Sequence, residues 1–295
     1  TKGLQGTTYT FEKNTHTGTE TLLLAAVLAN GTTVLQNAAE EPEVDELIEL
    51  LNLMGANIQR SGNREITIEG VTKLHGTTIT ILPDRNEIIT FAIGAYITKG
   101  DITVRDAIKV DLQAFLEALH KAGATYEIQG NDIRFVGAYG YTSLRATDII
   151  TAIHPGFMTD WQAPWAVLMT QADGISTIHE TVFESRFGYV KELKKMGANI
   201  KIFNPLVTHP EKIYNFNLHD DDPNFFRAIH ITGPTKLHSA VMKISDLRAG
   251  ATLVLAALAG KGTTTIFGLE QVDRGYENFE KRLRSLGAEI KRVKE

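Results

Sequence analysis

Four times along this chain an amphipathic run stops at Gly-Ala and gives way to a β-branched stretch. The copies are LLNLMGANI at Gly55, FLEALHKAGATYEI at Gly123, ELKKMGANIKI at Gly197 and RLRSLGAEIKR at Gly287. Glycine suits the left-handed position just past a helix, so the pattern reads as one helix stop used four times. A second punctuation precedes each stop: LANGTTVLQN at Gly31, ITKGDITVRD at Gly100, TQADGISTIHE at Gly174 and AGKGTTTIFG at Gly262. The distance from each upstream glycine to its helix stop varies by no more than two residues, so the chain is built from an internal repeat.

Each upstream glycine follows an apolar helical run: Leu22 to Leu28, Ile88 to Ile97, Trp161 to Met169 and Ala249 to Leu258. Ahead of each run an alternating stretch predicts a strand: LQGTTYTFE from Leu4, LHGTTITILPD from Leu74, YTSLRATD from Tyr141 and LHSAVMKISD from Leu237. The unit is therefore strand, helix, strand, helix, then one or two strands, an α/β (α+β) pattern. Between Phe203 and Thr235 the third unit carries an Asn-, Asp-, Pro- and aromatic-rich insertion, read as a long hairpin or surface excursion.

Composition narrows the function. A net charge of -5 over 295 residues offers no basic excess for nucleic acid or an anionic membrane, so a bound anion must meet a local arginine cluster. The absence of cysteine removes disulfides, thiolate chemistry and Cys-ligated metals from this chain, and points to the cytoplasm. The longest apolar run, Ala249 to Ala259, is too short to span a bilayer. Residue 1 is Thr, and the first residues already read as a strand, so the chain is expected to be N-terminally incomplete.

Polar residues gather at equivalent corners of the units. The loop before the first helix holds Glu12, Asp84, Asp148 and Asp246, with Arg85 and Arg248 at the helix starts that follow Asp84 and Asp246. Arginine there opposes the helix dipole unless it meets a carboxylate or bound anion; the plainer reading is a capping Asp beside a solvated Arg. The second corner holds Glu41, Glu43, Glu180, Glu184, Arg186, Asp273, Arg274 and Glu277. Arg186, Arg248 and Arg274 could converge on one doubly charged anion, since the guanidinium fork suits carboxylate and phosphate. In the third unit the first corner is lengthened to HPGFMTDWQ, where Thr159 or Asp160 reads first as a helix cap and second as a base. His154 reads as a loop histidine, with no metal-ligand spacing around it. Lys13, Thr15, Thr17 and Gly18 form a turn before a helix that resembles a phosphate cradle.

NAAEEPEVDEL, ILPDRNE, HPGFMTDWQA, ETVFESRFGYVKEL, DLRAGATLVLAALA and DRGYENFEKRLRSLGAEI, in this order over nearly the whole chain, resemble the UDP-N-acetylglucosamine 1-carboxyvinyltransferases, a branch of the enolpyruvyl transferase family. The resemblance implies an inside-out α/β barrel of βαβαββ repeats with four of six units present. Residues 1–82 would be the last repeat of a first domain, and residues 83–295 a complete second domain with the excursion at 203–235. It further implies transfer of the enolpyruvyl group of phosphoenolpyruvate to the 3-hydroxyl of UDP-N-acetylglucosamine with release of phosphate, the first committed step of peptidoglycan synthesis. No metal and no organic cofactor are involved, and the partners are these two small molecules, met by a monomer.

Carried over by resemblance, Asp160 takes the proton of the sugar hydroxyl. Arg186 and Arg248 hold the phosphoenolpyruvate carboxylate, and Arg274 meets its phosphate. Val182 contacts the sugar through its backbone. Lys13, Thr15, Thr17 and Gly18 lie beside the diphosphate, and Arg85, Glu41 and Glu43 join the substrate-binding set. The loop that supplies the second proton in the family has no counterpart in this sequence, so little turnover is expected of the 295 residues alone. Two other readings stay open: the sister 3-phosphoshikimate 1-carboxyvinyltransferase, and a repeat-built binding protein without catalysis.

Overall fold

A computed structural model of the chain describes residues 3–137, 144–220, 222 and 224–293. It divides into two compact units. The first comprises Thr1–Pro83, Ile153–Gly156 and Glu211–Asp220; the second comprises Asp84–Ala152, Phe157–Pro210 and Asp221–Glu295.

The first unit holds β1 (Thr8–Thr10), α1 (His16–Ala26), β2 (Thr32–Gln36), α2 (Pro42–Leu53), β3 (Asn57–Gly62) and β4 (Glu65–Glu69). Its sheet runs β1-β2-β4-β3, with β1 and β2 parallel and the other pairs antiparallel. Alternation in β2 and β4 turns Leu35, Ile66 and Ile68 inward, into a cluster with Leu23 of α1, Val27 just after it, and Val44, Ile48 and Leu51 of α2. Lys13 Nζ donates to the carbonyls of Glu211 and Tyr214, and Asn14 and Asn215 exchange hydrogen bonds, which fixes residues 211–220 onto this unit.

The second unit holds three repeats. The first contains α3 (Arg85–Thr98), β5 (Asp101–Val104), α4 (Gln113–Lys121), β6 (Thr125–Gln129) and β7 (Asp132–Val136). The next contains β8 (Ile149–Ile150), α5 (Gln162–Met169), β9 (Gly174–His179), α6 (Val190–Lys195), β10 (Asn199–Phe203), α7 (Pro210–Ile213) and β11 (Ala228–Gly233). The last contains β12 (Val241–Lys243), α8 (Leu247–Ala259), β13 (Thr265–Phe267) and α9 (Phe279–Ser285). The sheets are β5-β7-β6, β10-β11-β9-β8 and β12-β13.

Helices α3, α5 and α8 pack on one another, and every residue of α5 is buried. A helix apolar all round has no face for water, so the helices take the centre and the sheets surround them. A small residue lets α3 and α8 approach, since a Cβ on Gly94 would touch Leu255, and Gly250 leaves room on α8 for Val272 and Ile244. Among the described residues no helix is long and apolar enough to cross a membrane.

Three of the sequence expectations are revised. The strand foreseen from Leu74 does not form: residues 72–84 are without strand and largely exposed. Alternation supplies a face, but a strand also needs a partner. Likewise, among the described residues no strand follows Gly287, and the last sheet has two strands. Of the strand foreseen from Tyr141, residues 141–143 lie outside the described residues, and the rest reduces to a bridge from Arg145 to Asp173 and the short β8. At the end of α3 the left-handed residue is Lys99, φ 55°, just before Gly100. The helix stops hold: Gly55, Gly123, Gly197 and Gly287 all have φ between 75° and 98°. The 203–235 excursion is a hairpin whose arms are β10 and β11, carrying residues 204–227 as its loop.

Candidate active site

The second unit brings Asp160 between two arginines. Asp160 lies in a short 3-10 turn, Thr159–Trp161, ahead of α5. The turn is anchored by Trp161, whose indole packs against Phe115 and Phe157 and donates from Nε1 to Asn86 Oδ1 at 2.9 Å. No side chain caps this turn, so the capping role read from spacing is not the one Asp160 plays. Its Oδ1 accepts from Arg186 Nη2 at 2.7 Å and its Oδ2 from Arg248 Nε at 3.2 Å.

Arg248 sits in the first turn of α8, whose cap is Asp246, accepting from the Ala249 amide. Its guanidinium lies 5.6 Å from the Tyr276 ring and donates to the Tyr276 hydroxyl, which also pairs with Thr90. Burial disfavours the charge on Arg248, but Tyr276 and Asp160 outweigh it and hold the guanidinium above the usual arginine range. Burial pushes the Tyr276 phenol up, with Arg248 opposing. Arg186 stacks over Phe183 at 4.6 Å, and its buried Nε has no hydrogen-bond partner among the described residues. Two guanidiniums thus share one carboxylate, leaving a net positive charge and an unused donor. That arrangement favours a further anion.

Behind Asp160 stands a buried glutamate that the sequence reading treated only as a corner acid. Glu180, 1% exposed, follows β9. Its Oε1 accepts from the Thr151 hydroxyl and the amides of Val182 and Phe183, and its Oε2 accepts from the Thr159 hydroxyl at 2.8 Å. Burial raises this carboxyl above its ordinary value, and the four donors pull it back. The Glu in HETVFESR was visible, but its threonine partners are distant in sequence and carried no signal. The same holds for Thr90 beside the Tyr of DRGYE.

Other residues foreseen for the site fall elsewhere. Arg274 is exposed and donates to Gln271; among the described residues it has no hydrogen bond or ion pair to Asp160, Arg186 or Arg248. Asp84 caps α3 as the plainer reading had it, but Arg85 is buried rather than solvated, its guanidinium 5.8 Å from the Trp161 ring. The Val182 amide is taken by Glu180. In the first unit Thr15 caps α1 by accepting from the Gly18 amide, and Thr15, Thr17 and Gly18 line an open groove with Tyr9, Phe11, Thr21 and Leu22. Lys13 is engaged by the 211–220 carbonyls. Glu41 is buried at the cap position of α2 and Glu43 lies in its first turn. The His154 carbonyl accepts from Arg64 at 2.7 Å.

Comparison with known proteins converges on one family. The family model for EPSP synthase (3-phosphoshikimate 1-carboxyvinyltransferase) matches residues 1–283. The chain is 44% identical over 290 residues to a UDP-N-acetylglucosamine 1-carboxyvinyltransferase of Desulfosudis oleivorans, covering 98% of this chain and 64% of that protein. It is 43% identical to the protein of the same name from Acidobacterium capsulatum, over 98% of this chain and 61% of that one. Thus the chain spans under two thirds of these relatives' length. Among solved structures, the enolpyruvyl transferase NikO of Streptomyces tendae superposes with a TM-score of 0.82 at 25% identity, covering 98% of this chain and 66% of that chain. An EPSP synthase from Acinetobacter baumannii, at 21% identity and a TM-score of 0.67 over 97% of this chain and 63% of its own, shares the fold.

Proposed function

This chain belongs to the EPSP synthase family, with the inside-out α/β fold of the enolpyruvyl transferases, and on that premise we propose that the whole protein transfers the enolpyruvyl group of phosphoenolpyruvate to the 3-hydroxyl of UDP-N-acetylglucosamine. Its relatives' name supports this acceptor. The observation that carries the reading is the Asp160 carboxylate held between Arg186 and Arg248.

In the reaction the acceptor oxygen bonds to the carbon of phosphoenolpyruvate that carries the phosphate, as its proton leaves and another adds to the methylene. The carbon–oxygen bond to phosphate then breaks, and the methyl group returns a proton. Asp160 takes the hydroxyl proton, while Arg186 and Arg248 turn from Asp160 to the substrate carboxylate, neutralising charge in a partly dry site. Arg274, from its exposed corner, meets the phosphate. The chemistry needs no metal and no organic cofactor, and the protein works as a monomer in the cytoplasm. There it supplies peptidoglycan synthesis.

The test is phosphate release by the whole protein from phosphoenolpyruvate, with either UDP-N-acetylglucosamine or shikimate 3-phosphate as acceptor. Release only with the former, abolished in Asp160→Ala with the fold intact, is the expected result. Release only with shikimate 3-phosphate makes the protein the sister enzyme, and release by Asp160→Ala at the wild-type rate removes Asp160 from the chemistry.

A further inference from the structure

The contacts around Asp160 close into a ring. Asp160 meets Arg186, Arg186 stacks on Phe183, the Phe183 amide donates to Glu180, and Glu180 accepts from Thr159, the neighbour of Asp160. Two members of this ring are the proposed base and a proposed anion holder. The others touch neither substrate in the reading above, yet they fix both.

We propose that Glu180 is a positioning residue for enolpyruvyl transfer, its carboxylate clamping the Thr159 turn that carries Asp160 to the Val182–Phe183 turn that leads to Arg186. The inference rests on the activity proposed above. Its geometry is specific: three donors converge on Oε1, binding the end of β8 through Thr151 to the 182–183 turn, while Oε2 serves Thr159. Thr151 is itself fixed by accepting from the Thr181 amide, and of the two acceptors near its hydroxyl Glu180 Oε1 at 2.8 Å is closer than the His179 carbonyl at 3.5 Å. A core glutamate excluded from water is unfavourable unless fully bonded, and apolar residues would fill the same volume at less cost. The four bonds to Glu180 come from the turn that bears Asp160, from the turn that leads to Arg186, and from Thr151 just past β8.

The clamp makes a separable test. Glu180→Gln keeps an oxygen for the three Oε1 donors but presents an amide N–H to Thr159, reversing one bond. Thr159→Val deletes the same bond from the other side, and Thr159→Ser keeps it. In the whole protein, Glu180→Gln and Thr159→Val are each expected to lower kcat about 10- to 100-fold, the scale of a misplaced catalytic group, with KM for phosphoenolpyruvate changing less than about threefold. The double variant should be no worse than either single one, because both remove one interaction. Thr159→Ser should rescue to within about threefold of wild type. Additive losses, equal losses in Thr159→Ser and Thr159→Val, or unchanged kcat in both Glu180→Gln and Thr159→Val would overturn the proposal. Wild-type protein that neither binds nor turns over phosphoenolpyruvate would instead sink the activity reading. Glu180 is then judged by hydrogen exchange alone: faster exchange of the Val182 and Phe183 amides in Glu180→Ala sustains the clamp, and unchanged exchange refutes it.

Discussion

Asp160→Asn separates two effects that the arginine pair combines. In the structure each carboxylate oxygen of Asp160 engages one guanidinium, and the three side chains are only 16–25% exposed. A substrate carboxylate must share those donors, and it arrives beside a like charge. At about 5 Å and an effective dielectric near 20 that repulsion is about 3 kcal/mol. Screening by the two arginines and by salt reduces it to about 1–2 kcal/mol.

Against this, Asp160 also orders the arginines, and re-ordering a long side chain costs about 0.5–1.5 kcal/mol. Phe183 still holds Arg186 and Tyr276 still holds Arg248 in the variant, so the ordering loss is the smaller quantity. Asp160→Asn should therefore bind phosphoenolpyruvate about three- to tenfold tighter, about 1 kcal/mol, while turnover is lost. Trp161 and Trp165 are the chain's two tryptophans, and Trp161 adjoins Asp160, so intrinsic fluorescence reports the titration. The tightening should shrink as salt rises. Weaker binding by the variant would show that Asp160 organises the anion site rather than competing with its ligand, and the reasoning fails.

Other expectations test the scaffold and the charges. Gly70→Ala would drive a Cβ into the Ala29 carbonyl oxygen, so it should cost at least about 2–3 kcal/mol and lower the thermal midpoint by several degrees; a midpoint within a degree of wild type contradicts the packing. Asp246→Ala removes the α8 cap and should cost about 1 kcal/mol in chemical denaturation, against no loss if the bond to the Ala249 amide is idle. Arg248→Lys replaces the fork that meets both Asp160 and Tyr276 by a point charge, and should raise KM for phosphoenolpyruvate about tenfold; an unchanged KM excludes Arg248 from the anion site. Because burial raises the Glu180 carboxyl, the folded state binds its proton more tightly than the unfolded chain does. This contribution is fully present below the unfolded value of 4.5 and is lost as pH rises through the folded value. Thermal melts of Glu180→Gln across that window should show a flatter pH dependence than wild type, and an identical slope would place the titration elsewhere.

The helix stops at Gly55, Gly123, Gly197 and Gly287, the buried helices α3, α5 and α8, and the caps Asp84 and Asp246 were legible in the sequence. Each depends on a local property: the left-handed φ, a run of apolar residues, or a side chain reaching an amide three residues on. The same local logic erred where an outcome needed a partner. The stretch from Leu74 alternates like a strand but joins none, and Asp160 has the spacing of a cap but meets arginines 26 and 88 residues away. A third repeat signal, Gly70, Gly137 and Gly233, has its reason only in the structure. Each lies where a Cβ would collide with a carbonyl from the preceding helix end, at Ala29, Ala95 and Ala172.

The sequence by itself therefore determined the repeat, its α/β character and, through resemblance, the family, since periodicity and turn chemistry are properties of neighbours along the chain. Only the tertiary structure decided that Arg186 and Arg248 share Asp160 while Arg274 stays apart, and that Glu180 bonds to Thr151 and Thr159. Those pairings depend on how separate repeats pack about a common helical centre, and on the burial that lets a few charged contacts outweigh water.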